Sequence, residues 1–228
     1  MPDYHAIYQQ QAAQYDLMVA REDYEGRLLP ALNALRPLTG LDVVELGAGT
    51  GRLTAQVAPL VKSLVALDAS EHMLGLLREK LPQVTTIAAD NRAVPLASGI
   101  ADVAIEGWAV AHSVGWYPET WRAETGKAIA EMLRLLRPGG MAVLLETLGT
   151  GNETPAPPNA ELGAFYQMLE AERGFTRVAL RTDYRFASPA EGQALLRFFF
   201  GDELADRVVA EQLTIVPECT GIWWRTLA

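Results

Sequence analysis

The sequence predicts an α/β fold: a mostly parallel sheet of seven strands with helices on both faces, a helical cap in front of it and an antiparallel strand to finish. Three observations predict it. Five short apolar runs, at 41–46, 63–68, 84–89, 100–105 and 141–146, lack the in-and-out alternation of a half-solvated strand, which is how strands covered on both faces read. The stretches between them repeat apolar residues at helical spacing, the βαβ pattern of a parallel sheet. Past residue 176 the pattern becomes alternation, with Val178, Leu180, Tyr184 and Phe186 on one side and Arg177, Arg181, Asp183 and Arg185 on the other. That is an antiparallel strand at an edge, where arginines discourage further pairing. With 228 residues, half of them apolar, the chain is expected to form one domain over 1–228: a cap over 1–37, a core over 38–150, and C-terminal helices and strands over 151–228.

In the cap, Tyr4, Ile7, Tyr8 and Tyr15, then Tyr24, Leu28, Leu29, Leu32 and Leu35, fall at near-helical spacing. A tyrosine on such a face is ordinarily a packing residue. The first strand ends in Glu45 and Leu46 and runs into Gly47, Ala48, Gly49, Thr50 and Gly51. Glycine at alternate positions permits a left-handed backbone and lets a ligand lie against N–H groups. Residues 52–60 resume helical spacing, so the loop empties onto a helix N-terminus, a place for the anionic end of a ligand. A bare sharp turn and a dinucleotide site are both open here. The dinucleotide fingerprint asks for a third glycine at position 52, where this chain has Arg52, so an NAD-dependent oxidoreductase is the weaker reading.

The run from Glu45 through Gly51 resembles the first motif of class I S-adenosylmethionine-dependent methyltransferases of the small-molecule type, and the resemblance continues downstream. It implies a Rossmann-like sheet and S-adenosylmethionine as cofactor. The second strand ends in Asp68, an acceptor-only group suited to two vicinal ribose hydroxyls, and Ala69 to Leu74 resembles the family's D-x-S-x-x-M-L signature. Ser70 reads as the N-cap of a helix reaching about residue 81, with Glu71 in its first turn. The resemblance sets Met73 near the adenine and counts Ala69 among the cofactor-binding positions, although plain helix core stays open for Met73. The third strand ends in Asp90 and Asn91; the family commonly uses the position of Asp90 to accept from the adenine amino group. The fourth ends in Glu106, Gly107 and Trp108. All of these groups share the carboxyl edge of the sheet, where open α/β folds hold ligands.

Further on, a helix is expected over 120–136. Arg137-Pro-Gly-Gly140 resembles a family hallmark and reads as a helix stop and tight turn before the fifth strand. Residues 149–158 read as a connection or a mobile loop. Helices over 160–172 and 189–211, the second carrying Phe198 and Phe199, and a strand over 219–226 complete the chain.

The net charge of −9 argues against a nucleic-acid partner. The fourth strand is followed by Glu106-Gly-Trp-Ala109, where the resemblance would put a polar-Pro-Pro-aromatic motif in a base-modifying enzyme. A single cysteine, Cys219, makes no internal disulfide, and no metal-ligand spacing is present. Neither a bilayer-length apolar stretch nor the pattern of a signal peptide is found, so a cytoplasmic location without a membrane partner is expected. The function implied is methyl transfer to a small-molecule acceptor, with a non-catalytic cofactor-binding module as the alternative. The acceptor is expected between the fourth strand and the cap, lined by Trp108, His112, Trp116 and Tyr117 with Tyr8 or Tyr15 above. Aromatic walls suit an apolar or flat acceptor. His112, able to take a proton near neutral pH, and Tyr15 are the candidate catalytic residues, unless His112 merely packs the loop and no base is needed.

Overall fold

The computed structural model describes residues 4–228, with His5 described by its backbone alone. The cap is α1 (Tyr4–Gln10), α2 (Ala12–Val19) and α3 (Leu28–Leu35); the core then runs β1 (Asp42–Leu46), α4 (Arg52–Val57), β2 (Ser63–Asp68), α5 (Glu71–Lys80), β3 (Thr85–Ala88), β4 (Ala101–Gly107), α6 (His112–Trp116), α7 (Trp121–Leu135) and β5 (Leu136–Thr150). The last third holds α8 (Ala160–Gln167), extended by one π-helical turn over Met168–Glu172, then β6 (Thr176–Arg181), β7 (Tyr184–Arg185), α9 (Pro189–Phe200), α10 (Asp202–Ala210), β8 (Ile215–Val216) and β9 (Glu218–Thr226). One sheet has the order β3-β2-β1-β4-β5-β9-β6, and β9 is antiparallel to both of its neighbours. The expected seven-stranded, mostly parallel sheet is present.

The unbroken apolar runs are explained by two separate layers. Val44, Leu46, Ala104 and Leu144 face one layer, covered by Ile129, Met132 and Leu135 of α7 and by Phe165. Val43, Val103, Ile105 and Val143 face the other, covered by Leu32, Leu53 and Leu77. Burial on both faces therefore asks for an apolar residue at every strand position. Side-chain caps start the helices where expected: the Ser70 hydroxyl accepts from Met73 N, and Ser188 and Asn159 cap α9 and α8 in the same way.

Three expectations are corrected. Residues 137–140 are not a turn outside the sheet: β5 begins at Leu136, which pairs with Ala101, and Gly139 N donates to Leu227 O while Leu227 N donates to Gly140 O. The left-handed Gly139 (φ +75°) and a register shift absorb the irregularity as a bulge. The alternating strand near 176–186 is broken, because Asp183 accepts from Arg181 Nε at 2.7 Å and from Glu218 N at 3.0 Å and turns the chain. Beyond that turn β7 leaves the sheet to pair with β8, and Tyr184 and Phe186 bury in a third cluster with Met18, Val19, Leu196 and Val208. The long helix near 189–211 is likewise two helices parted at Gly201 (φ +85°, ψ −174°). The loop past β5 is tied down by Gly151 N to Pro217 O (2.7 Å) and Ala156 N to Leu148 O (2.8 Å). Among the described residues no helix is long and apolar enough to cross a membrane.

Candidate functional site

The carboxyl ends of β1, β2 and β4 meet around the loop 47–51. Ala48 N donates to Leu67 O of β2 at 2.8 Å, and Gly51, left-handed at φ +88°, opens α4. The Asp68 carboxylate stands at the junction: one oxygen accepts from Gly49 N and the other from Ser70 N, both at 2.8 Å. It therefore joins the glycine loop to the cap of α5 and keeps further lone pairs for a ligand. Burial raises its pKa, and the two N–H bonds oppose the rise. Glu45, 2% exposed, accepts from Thr54 Oγ1 at 2.7 Å, and burial pushes its carboxyl up to about 8. Gly47 (φ +66°) faces Ala109 so closely that a Cβ would overlap the Ala109 methyl, with Asn91 Nδ2 only 3.3 Å away. A narrow cleft of about 30 Å³ remains, lined by Tyr15, Glu45, Gly47, Gly49, Arg52 and Trp108 among others. Two buried polar atoms nearby, Thr50 Oγ1 and Asn91 Oδ1, have no partner.

The other expected cofactor positions divide. Gly107 lines the same cleft, as does Ala48. Met73 is buried on α5 and Ala69 is exposed beside it. Asp90 is exposed, and its carboxylate is chelated by Arg92 through Nε and Nη2, which lowers its pKa. Glu106 departs from expectation. It is 0% exposed and has no face on the cleft, because Oε1 turns inward to accept from Ala109 N at 2.5 Å and Val110 N at 2.7 Å. Burial raises this carboxyl to about 7, and Glu146 beside it is pushed well above the carboxylate range by burial and by Glu106.

Sequence reasoning missed the groups that close the cleft. The Arg52 guanidinium lies 3.4 Å from the centroid of the Trp108 ring, and Trp108 is itself left-handed at φ +58°. Arg52 forks onto Glu22 at 2.6 and 2.8 Å, with side chains 13% and 2% exposed. Glu22 also accepts from Thr182 Oγ1 at 3.2 Å. Arg52 carried a signal as the misfit in the dinucleotide pattern, whereas Glu22, thirty positions away, carried none.

On the cap side, Tyr8 Oη and Nε2 of His112 are 2.8 Å apart. Tyr4, Tyr8, Tyr15 and His112 meet with ring centroids 5.3 to 6.5 Å apart; Trp116 stacks on His112 at 5.1 Å, and Phe199 of α9 reaches Tyr15 at 5.5 Å. Phe199 was legible in sequence only as part of an apolar helix face. Tyr117 does not join the cluster: it lies under Arg92, 4.9 Å from the guanidinium, where the Asp90–Arg92 pair draws it. Burial pushes Tyr15 to about 12 and Tyr8 well above a phenol's ordinary value, so both stay protonated at neutral pH. Among the described residues no group of three His, Cys, Asp or Glu is placed to hold a metal ion.

A family model described as a methyltransferase domain matches residues 43–140, the span that holds the glycine loop, Asp68 and Glu106. Over this span the chain is similar to methyltransferases. It is 34% identical over 110 residues to a methyltransferase of Mycobacterium tuberculosis (strain H37Rv), covering 48% of this chain and 41% of that one. It is 27% identical over 168 residues to malonyl-[acyl-carrier protein] O-methyltransferase of Yersinia pestis, covering 74% and 56%. The chain spans about half the length of the curated relatives it matches. The fold is shared with magnesium protoporphyrin IX methyltransferase of Synechocystis PCC 6803, solved with bound S-adenosylmethionine: TM-score 0.52, 17% identity, 89% of this chain and 77% of that one.

Proposed function

We propose that this protein transfers a methyl group from S-adenosylmethionine to a small apolar or flat acceptor. The observation that carries the reading is Asp68, whose carboxylate is fixed by Gly49 N and Ser70 N beside a glycine loop and a cleft, with an aromatic cluster facing it from the cap. The residues fit the cofactor. Asp68 retains acceptor capacity for ribose hydroxyls, the space beyond Gly49 is open, and the orphaned Asn91 Oδ1 and Thr50 Oγ1 want partners. Glu45, Gly47, Ala48, Gly51, Gly107 and Trp108 would line the amino-acid end, with Ala69, Met73, Asp90 and Asn91 toward the adenine; Glu106 drops out of the contacting set.

S-adenosylmethionine, when bound, supplies an already activated methyl group. The chain's own work is then to align an acceptor in line and to exclude water, which the aromatic cluster of Tyr8, Tyr15, His112, Trp116 and Phe199 supports. An acceptor that loses a proton would find His112 as its base, with Tyr8 fixing the ring through Nε2.

Calorimetry with S-adenosylhomocysteine and with NADH tests the cofactor, followed by a labelled-methyl screen over small amines, phenols, carboxylates and thiols. Heat with NADH and none with S-adenosylhomocysteine would overturn the reading. Tight S-adenosylhomocysteine binding without transfer to any acceptor would leave a cofactor-binding module.

A further inference from the structure

Three consecutive backbone N–H groups, those of Ala109, Val110 and Ala111, end on two carboxyl groups, one at the carboxyl end of β4 and one within the adjacent β5. Glu106 Oε1 takes the first two at 2.5 and 2.7 Å, and Glu146 Oε1 takes the third at 2.8 Å. The side chains are 0% and 2% exposed. Glu106 Oε2 is buried with no donor, although Glu146 stands beside it. The groups acting on the two carboxyls are the three amides and the partner carboxyl, with no lysine or arginine among them. The ionisable groups that face the pair are Tyr8 from α1 and Tyr166 from α8, both held protonated by burial, and His112 follows directly on the clamped amides. Two carboxylates in contact in such surroundings cannot both ionise at ordinary cost, and a single proton between them satisfies the orphaned oxygen.

The clamped segment carries the site. Trp108 stacks under Arg52 in the cleft, Ala109 packs against Gly47, and His112 belongs to the aromatic cluster. We infer that Glu106 and Glu146 form a proton-sharing clamp that positions segment 108–112, so that cofactor binding requires the pair to hold one proton. Both are positioning residues, and the inference rests on the cleft being the cofactor site. Glu146 carries the proton and donates it to Glu106 Oε2, while Glu106, as carboxylate, holds the two amides. When that proton is lost above neutral pH, repulsion opens the clamp and the segment loosens.

Glu146→Gln preserves every bond of the singly protonated pair, because its amide N–H replaces the shared proton and its oxygen still accepts from Ala111 N. Amide exchange of segment 108–112, corrected for intrinsic rate, and S-adenosylhomocysteine affinity are measured from about pH 6.5 to about 9.5, spanning the raised carboxyl range. In wild type, protection and affinity fall together by about tenfold or more, as expected for one linked proton; in Glu146→Gln both stay flat. The ligand's own amino group titrates alike in both proteins, so the difference isolates the clamp. Parallel profiles in the two proteins would overturn the inference. Glu106→Gln offers the same bonds with the roles exchanged, and failure of both variants to fold would also overturn it. Protection that depends on pH in wild type but not in Glu146→Gln, with no S-adenosylhomocysteine binding at any pH, would sustain the clamp and sink the cofactor reading instead.

Discussion

Gly47→Ala should damage the protein far more than Gly49→Ala, two positions along the same loop. Both residues are left-handed, at φ +66° and +56°, so each substitution carries the penalty of an L-residue there, roughly 1 to 2 kcal/mol. At Gly49 nothing lies within 4 Å of the added methyl, and the penalty stops there. At Gly47 the methyl would overlap Ala109 Cβ, backed by Asn91 Nδ2 at 3.3 Å, and Ala109 is itself held by Glu106, so overpacking adds roughly 1 to 3 kcal/mol. For a chain of this size each kcal/mol shifts the melting temperature by roughly 2 to 4 °C. Gly47→Ala should thus melt about 5 to 15 °C below wild type, with Gly49→Ala retaining most of its stability. Thermal melting followed by circular dichroism reads both. Equal melting temperatures for the two variants would refute the reasoning, since they differ only in what the methyl meets.

Asp68→Ala should weaken S-adenosylhomocysteine binding by calorimetry, each lost charge-assisted hydrogen bond being worth roughly 1.5 to 3 kcal/mol. It should also cost some stability, because the same carboxylate ties Gly49 N to Ser70 N; undiminished binding would remove it from the ribose site. Once an acceptor is known, His112→Ala should keep cofactor affinity and lose turnover by roughly a hundredfold or more if His112 is the base; unchanged turnover across pH would exclude that role. Glu45, raised to about 8, keeps in the folded state a proton that the unfolded chain releases above about 4.5. Its contribution to stability therefore falls as pH rises from about 5 to about 8, by an amount on the order of a few kcal/mol, and is fully lost above the folded pKa. Urea titrations across that range should show a shallower decline in Glu45→Gln, and parallel slopes would refute the assignment.

What was legible in the sequence was what local pattern and strand order dictate. The central strands β1 and β4 announced themselves because burial on both faces leaves few polar positions, and the strand-terminal carboxylates followed from knowing where such strands end. What was hidden depends on partners distant in sequence. The turn that ejects β7 needs Glu218 N on Asp183, 35 positions away, so periodicity alone read one continuous strand. Glu106 stood at the right edge, yet its direction was decided by the amides of Ala109 and Val110, which no spacing rule records. Tyr117 shared its stretch with His112 and Trp116 but was drawn off by Arg92.

The two sides of α2 have different consequences for how the cleft opens. Met18 and Val19 bury with Tyr184, Phe186, Leu196, Val208 and Val216, whereas toward the glycine loop and α5 the same region reaches out through Glu22 to Arg52 and Asp16 to Lys80. Parting the first contact exposes apolar surface and costs free energy in proportion to its area; parting the second exchanges ion pairs for water. Local opening at α2 is therefore expected to begin on the Asp16–Lys80 side, while Met18 and Val19 stay packed with β7, α9 and α10. Such an opening has a small denaturant dependence, and amide exchange should report it as a sub-global event.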